Sequence, residues 1–199
     1  DVQDAPWTFE GLSPLRFSWI DGRIESIEII TNSSTSSLKL LLPRLVEVHA
    51  HIDKAFSWND FPNLIGTYQN ALEANFKEHK KRTSLDVRDR GEKALTIAVR
   101  NGIRAIRSHV DSFGKVSNQN WETLLGLQRD WRHLIELQLV ALVPLDFWST
   151  DEGKMLANKV YSLGGSLGGV LVPPFNKRKS FQSLLNLLKL ANQLGCEID

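Results

Sequence analysis

Two histidines, His49 and His51, stand at the end of an apolar run, in the stretch LVEVHAHIDK at 45–54. In an extended strand, alternate side chains share a face. His49 and His51 therefore point the same way, with Glu47 and Asp53 in phase where the strand reaches that far. Val46, Val48, Ala50 and Ile52 take the other face. Two imidazoles at i and i+2 can reach one metal ion, and imidazole nitrogen suits zinc, iron and nickel. A catalytic zinc usually has three protein ligands and an open position, so the pair is necessary but not sufficient. The plainer reading is two polar residues at a strand end. Ser108-His109-Val110-Asp111 closes the next β-rich run, and there the plainer reading is a histidine hydrogen-bonded to Asp111. Trp58, just after the first motif, is placed to line a pocket.

The elements that must position these residues follow from pattern. Apolar, β-rich runs lie at Arg44–His51, Ile103–Val110, Ile135–Val143, Gly169–Val172 and Glu197–Ile198. Between them the spacing predicts helices over Leu64–Arg82, from Ser84 or Thr83 to Arg100, from Ser117 or Asn118 onward through Trp121 and Trp131, over Glu152–Leu163, and over Ser180–Leu194. Leu85, Leu95 and Ala98 are expected on the inward face of the second. With strand starts near 103, 136, 168 and 197, the steps from the second strand onward are 33, 32 and 29 residues, the βα repeat of a parallel α/β protein. An open doubly wound sheet and a closed (β/α)8 barrel both fit. In either, ligand sites collect at the carboxyl edge, where both histidine motifs end. Before residue 42, Leu15–Ile20 and Ile24–Thr31 flank Asp21-Gly22, a hairpin turn signal. The division expected is a small β piece over 1–41 and a (β/α) unit over 42–199.

Composition excludes several classes. The 199 residues carry 24 Lys and Arg against 23 Asp and Glu, a formal net charge of +1. That balance gives no global pull toward nucleic acid or acidic membranes. With 42% hydrophobic residues, disorder is excluded. No apolar run approaches the roughly 18 residues of a membrane span. One cysteine, Cys196, cannot form an intrachain disulfide, which fits the reducing cytoplasm. The basic run KEHKKR at 77–82 reads as solvated helix surface, and Asn176–Lys179 as a loop charge cluster. Gly164–Gly169 follows a helix and opens a strand, the reverse of a phosphate loop, and reads as a helix stop and turn.

LLPRLVEVHAHIDKAF resembles the first barrel strand of the amidohydrolase superfamily. HxHxDK with IRSHVD about 60 residues later is similar to its cytosine-deaminase-like branch. LQLVALVP at 137–144 and LGGVLVPPF at 167–175 resemble the third and fourth strands. The resemblance implies the first half of a (β/α)8 TIM-type metal-dependent hydrolase barrel preceded by a small β piece. It implies His49 and His51 as ligands of one divalent metal, zinc or iron, whose activated water attacks an sp² carbon bearing nitrogen. His109, Asp111, Asp53 and Trp58 would line or support the substrate pocket. The fourth strand end, LVPPF, has no lysine to bridge two metals, which favours one. ValProLeuAsp at 143–146 lacks the glutamine that reads cytosine. The family's third ligand and acid/base groups come from strands five, six and eight, which do not fit within 199 residues. The chain is therefore expected to be the amino-terminal part of an enzyme that hydrolyses a C–N bond of a small nitrogenous compound. The alternatives are a non-catalytic remnant or interaction module, and a doubly wound binding protein. The partners expected are a small-molecule substrate and, through open sheet edges, further copies of the chain. Nucleic acid and membrane are not expected.

Overall fold

In the computed structural model, which describes residues 2–5, 15–29, 42–114, 117–171 and 176–199, the chain divides into two units, Asp1–Arg44 and Leu45–Asp199. The first holds three strands, β1 (Val2–Ala5), β2 (Leu15–Ile20) and β3 (Arg23–Ile29), in one antiparallel sheet of that order. Asp21 and Gly22 both take positive φ, 51° and 75°, the backbone that a two-residue hairpin turn demands. The hairpin follows the sequence expectation. The last residues of the second expected run, Ile30 and Thr31, lie outside the described residues.

The second unit alternates strand and helix. β4 (Leu45–Ala50), β5 (Ile103–Asp111), β6 (Glu136–Pro144) and β7 (Ser166–Val170) form one parallel sheet in the order β4-β5-β6-β7. Ile198 bridges to Leu167 beyond β7, also in parallel. Strand order equals sequence order, with no reversal, and the sheet curls. A doubly wound sheet would show a switch point where the order reverses. The arrangement is that of a (β/α) half-barrel. The helices are α1 (Tyr68–Lys81) and α2 (Ser84–Arg100) before β5, α3 (Ser117–Trp131), α4 (Asp151–Ser162) and α5 (Lys177–Leu194). Among the described residues no helix is long and apolar enough to cross a membrane.

The core lies between the strands and their helices. Ile106 and Val110 of β5, Leu137, Leu139, Ala141 and Val143 of β6, and Leu167 of β7 pack with Leu95 of α2, Trp121 and Leu124 of α3, Val160 of α4 and Leu187 of α5. Two expectations shift. The inward stripe of α2 is Val87, Gly91, Leu95 and Ala98, and Leu85 is exposed. At 100° per residue, Leu85 falls some 200° from Val87 and so leaves the apolar face. The fourth parallel strand begins at Ser166, not Gly169. Gly164 stops α4 in a left-handed conformation as expected, but Gly168 belongs to the strand. A Cβ there would meet Val140 Cγ1 at 2.6 Å and Ala141 O at 3.0 Å, so only glycine lets β7 seat on β6.

A short 3-10 turn, Leu145–Ser149, follows β6, and α4 closes tightly on it. A Cβ on Gly153 would strike the Phe147 carbonyl oxygen and sit 2.9 Å from Trp148 Cα, both backbone atoms that cannot step aside. Gly126 in α3 has only the tips of Arg88 and Arg129 nearby, at 3.8 and 3.9 Å. Helix propensity alone favours alanine at both positions by about 1 kcal/mol. Gly126→Ala is therefore expected to raise stability by up to about 1 kcal/mol, and Gly153→Ala to lower it by about 1–3 kcal/mol. Urea unfolding of the two variants checks the opposite signs.

The start of α2 carries a reciprocal cap. Thr83 Oγ1 accepts from the Asp86 N–H at 3.2 Å, and the Asp86 carboxylate accepts from the Thr83 N–H at 2.9 Å and its hydroxyl at 2.7 Å. Those donors hold the Asp86 carboxyl below its ordinary value. Its stabilisation is present above the ordinary carboxylate pKa of about 3.9 and is lost as pH falls through the lowered folded value. Asp86→Asn is expected to cost about 1 kcal/mol at pH 7. The cost should vanish in strong acid, as unfolding at both pH values would show.

Candidate active site

Strand alternation divides β5. Ile106 and Val110 enter the core against the helices, and Arg107, His109 and Asp111 take the other, inner face. His109 is buried there, with Nε2 2.8 Å from Asp199 Oδ1. Arg107 also reaches Asp199, at 2.6 Å, and donates to Gln138 Oε1 on the neighbouring strand at 3.1 and 3.0 Å. The His109 ring stacks on His49, with centroids 3.9 Å apart and planes 25° apart.

The expected pair meets at the carboxyl edge. The His49 and His51 ring centroids are 5.2 Å apart, edge to face. His49 is the exposed penultimate residue of β4, and its backbone N–H donates to Glu47 Oε1 at 3.0 Å. His51 stands just past the strand and is half-buried. Its Nδ1 lies 3.0 Å from the His109 carbonyl oxygen. A carbonyl only accepts, so Nδ1 carries the hydrogen and Nε2 keeps its lone pair. Burial first, and then the Lys54 ammonium, push the His51 imidazole down to about 4, against the pull of that carbonyl. The ring is thus neutral at pH 7. A neutral imidazole whose other nitrogen is bound to a carbonyl is the usual state of a metal-ligating histidine. Two imidazoles side by side at one strand edge are donors of the type that zinc or iron takes. Among the described residues, no three His, Cys, Asp or Glu side chains are arranged to hold one ion.

Asp53 does not continue the strand alternation. β4 ends at Ala50, and Asp53 sits in the turn Ile52–Phe56, fully buried. It accepts from Arg82 Nη1 at 2.7 Å. Arg82, whose side chain is 0% exposed, also binds Glu78 through Nε at 3.1 and 2.9 Å and Asp111 through Nη2 at 3.2 Å. Arg90 adds a second cation on Glu78, and Lys54 Nζ meets both Asp111 oxygens at 2.9 and 3.0 Å. Burial pushes the Asp53 carboxyl up to about 6, against Arg82 and Lys54. Burial works to raise Asp111 too, but there Lys54 and Arg82 prevail and hold it below the usual carboxylate range. His79 stacks on Phe113, with centroids 4.8 Å apart, and burial, then Arg82, lower its imidazole.

Beside this cluster opens a cleft of about 650 Å³, within the range of small-molecule sites. His51, Lys54 and Asp111 give it polar groups, and Tyr68, Phe76, Phe113 and Phe147 give it aromatic walls. Trp58 is not part of it. That side chain is exposed and lines a separate depression with Phe56, Phe61 and Asn63. His109 meets the site through its stack on His49, not through the cleft wall.

Arg82 and Glu78 are the residues that sequence reasoning missed. Both belong to KEHKKR, which reads as a solvated face but buries these two side chains. The available signal was Asp53, a carboxylate beside the histidine motif with no cation in its own strand register.

No family model matches the chain. The pterin deaminase of Rhizobium rhizogenes is 35% identical over 133 residues, 66% of this chain and 30% of that protein. The N-isopropylammelide isopropyl amidohydrolase of Pseudomonas sp. strain ADP is 26% identical over 165 residues, 80% of this chain and 41% of that one. The chain thus spans well under half the length of these curated relatives. The crystal structure of 5-methylcytosine deaminase from Klebsiella pneumoniae superposes on 96% of this chain and 48% of its own, with TM-score 0.77 at 23% identity, a likeness of fold. By sequence, the chain belongs to the amidohydrolase superfamily, in its cytosine-deaminase-like branch.

Proposed function

We propose that these residues form the amino-terminal half of the catalytic barrel of a metal-dependent deaminase, which hydrolyses a C–N bond of a small nitrogenous compound. The observation that carries this reading is His51. Its Nδ1 hydrogen is committed to the His109 carbonyl, and its ring stands on the cleft wall beside His49. His49 and His51 would hold one divalent ion, zinc or iron, which when bound supplies a water-derived nucleophile at neutral pH. The absence of lysine from LVPPF supports a single ion, although 172–175 lie outside the described residues.

The chain's own residues serve binding and orientation. The flat walls of Phe76, Phe113 and Phe147 suit a planar ring, as in the pterin and 5-methylcytosine named for the relatives. Lys54 directs its ammonium at Asp111 and retains donor capacity on the cleft wall. Asp111, held ionised by Lys54 and Arg82, keeps that ammonium in place. His109, Asp111 and Asp53 support the site, and the cytoplasm, with Cys196 as a free thiol, is its proposed location.

One observation favours a second reading, a non-catalytic module. The described residues complete no three-ligand set. Metal binding and turnover separate the two. The purified chain is expected to hold about one zinc per chain. His49→Ala and His51→Ala are each expected to weaken it about 100-fold or more, since losing a ligand's supporting partner alone costs about 10–100-fold. Competition with a chromophoric chelator checks this, and a wild-type chain that takes no zinc would overturn the metal reading. Ammonia release from pterin or 5-methylcytosine would establish catalysis. A chain that neither binds zinc nor releases ammonia would favour the second reading.

A further inference from the structure

The strand that carries the histidines has little apolar hold on its outer face, because Val46 and Val48 are 46% and 67% exposed. The turn after it ends on Phe56 at φ 61°, a left-handed backbone that a phenylalanine adopts only at a cost. Something else must keep the turn in place. Ile52 is buried, and its N–H donates to Ser108 Oγ at 3.2 Å. The remaining anchors are ionic. Asp53 of the turn, Glu78 of α1 and Asp111 of β5 converge on one guanidinium, that of Arg82. Lys54 of the turn then fastens to the same Asp111. The residues on either side of this anchorage are His51 and His109, joined by the Nδ1–carbonyl hydrogen bond.

We infer that Arg82 is the positioning residue of the metal-facing edge. By holding Asp53 and Asp111 together across two chain segments, it fixes the His51 ring as the Nδ1–H form with Nε2 free. The inference rests on the proposed metal site for its purpose but not for its geometry, which stands without any ion. Arginine suits the task because its five N–H groups lie in a rigid fork, and here they serve three carboxylates from three directions. A lysine ammonium at the same place cannot span all three. Glu78, with Arg90 behind it, keeps the fork aimed toward the turn.

The test uses the whole 199-residue chain, without metal and then with zinc. Long-range proton–nitrogen NMR of the metal-free chain reads which His51 nitrogen carries hydrogen. Chelator competition reads zinc affinity. In Arg82→Lys and Asp53→Ala the His51 ring is expected to become a mixture of tautomers, and zinc affinity to fall about 10–100-fold. Asp53→Asn, which keeps the shape and one accepting oxygen, should fall between these and wild type and guards against loss of folding. Gly153→Ala is the control. It is expected to lose stability by its clash with the Phe147 carbonyl while leaving the tautomer and zinc affinity unchanged. Folded Arg82 and Asp53 variants with a wild-type tautomer would overturn the inference. So would a Gly153→Ala variant that loses the tautomer as they do. A wild-type chain without zinc affinity, but with a tautomer that the Arg82 and Asp53 variants disturb, would overturn the metal reading and leave the positioning role standing.

Discussion

A guanidinium does not give up its proton in a protein. Arg82 is wholly buried, so its charge must be met where it lies. Breaking one partner of such a cluster typically costs about 3–5 kcal/mol, because it strands an uncompensated charge in a medium that solvates it poorly. The carboxylates that answer it come from the turn after β4, from α1 and from the end of β5. These are the segments that must meet for the edge of the sheet to exist. Hydrophobic burial gathers the helices onto β5, β6 and β7, but it is indifferent to direction. The ion cluster adds the direction. It decides where the chain leaves β4, and therefore where His51 stands.

The division of labour across the sheet follows from strand alternation. On β5 one set of side chains feeds the core and the other carries Arg107, His109 and Asp111 to the inner face. Parallel pairing keeps the carboxyl ends of β4 to β7 on one edge, and the direct pairing of β4 with β5 brings their chemistry-bearing residues together across a connection that carries α1 and α2. The 3-10 turn after β6 brings Phe147 to the same side, and the glycine contact with α4 holds that turn tightly. The cleft is therefore apolar where helices and turns approach it and polar where strand ends do.

Much of this was legible in the residues. The βα repeat, the hairpin at Asp21-Gly22, the helix stop at Gly164 and the convergence of His49, His51 and His109 follow from period, turn chemistry and strand alternation. Sequence order alone left barrel and doubly wound sheet open, because the two share a local repeat and differ only in which strands become neighbours. The burial of Arg82 and Glu78 was not legible. A run of charges carries no mark of the partners that will neutralise it, and those partners lie 29 residues away on either side. Trp58 lines a depression apart from the cleft for a similar reason. Nearness in sequence to a motif places a side chain near it in space only while the backbone continues straight, and here the chain turns at Ile52.

The contacts between β4 and β5 have one more consequence. Their pairing is irregular, with shifts after Leu45 and again between Glu47 and Ala50. In an extended chain an odd slip exchanges the two faces, so each irregularity puts the parity of the strand at stake. The wrong parity would turn both imidazoles toward the helices and bring Ala50 and Ile52 to the open edge. The hydrogen bonds from Ile52 to Ser108 and from His51 to the His109 carbonyl lie beyond the last irregularity and count the register afresh there. The edge thus carries its own error correction. Whatever the strand does along its length, its final residues are set even or odd by two bonds to a single neighbour.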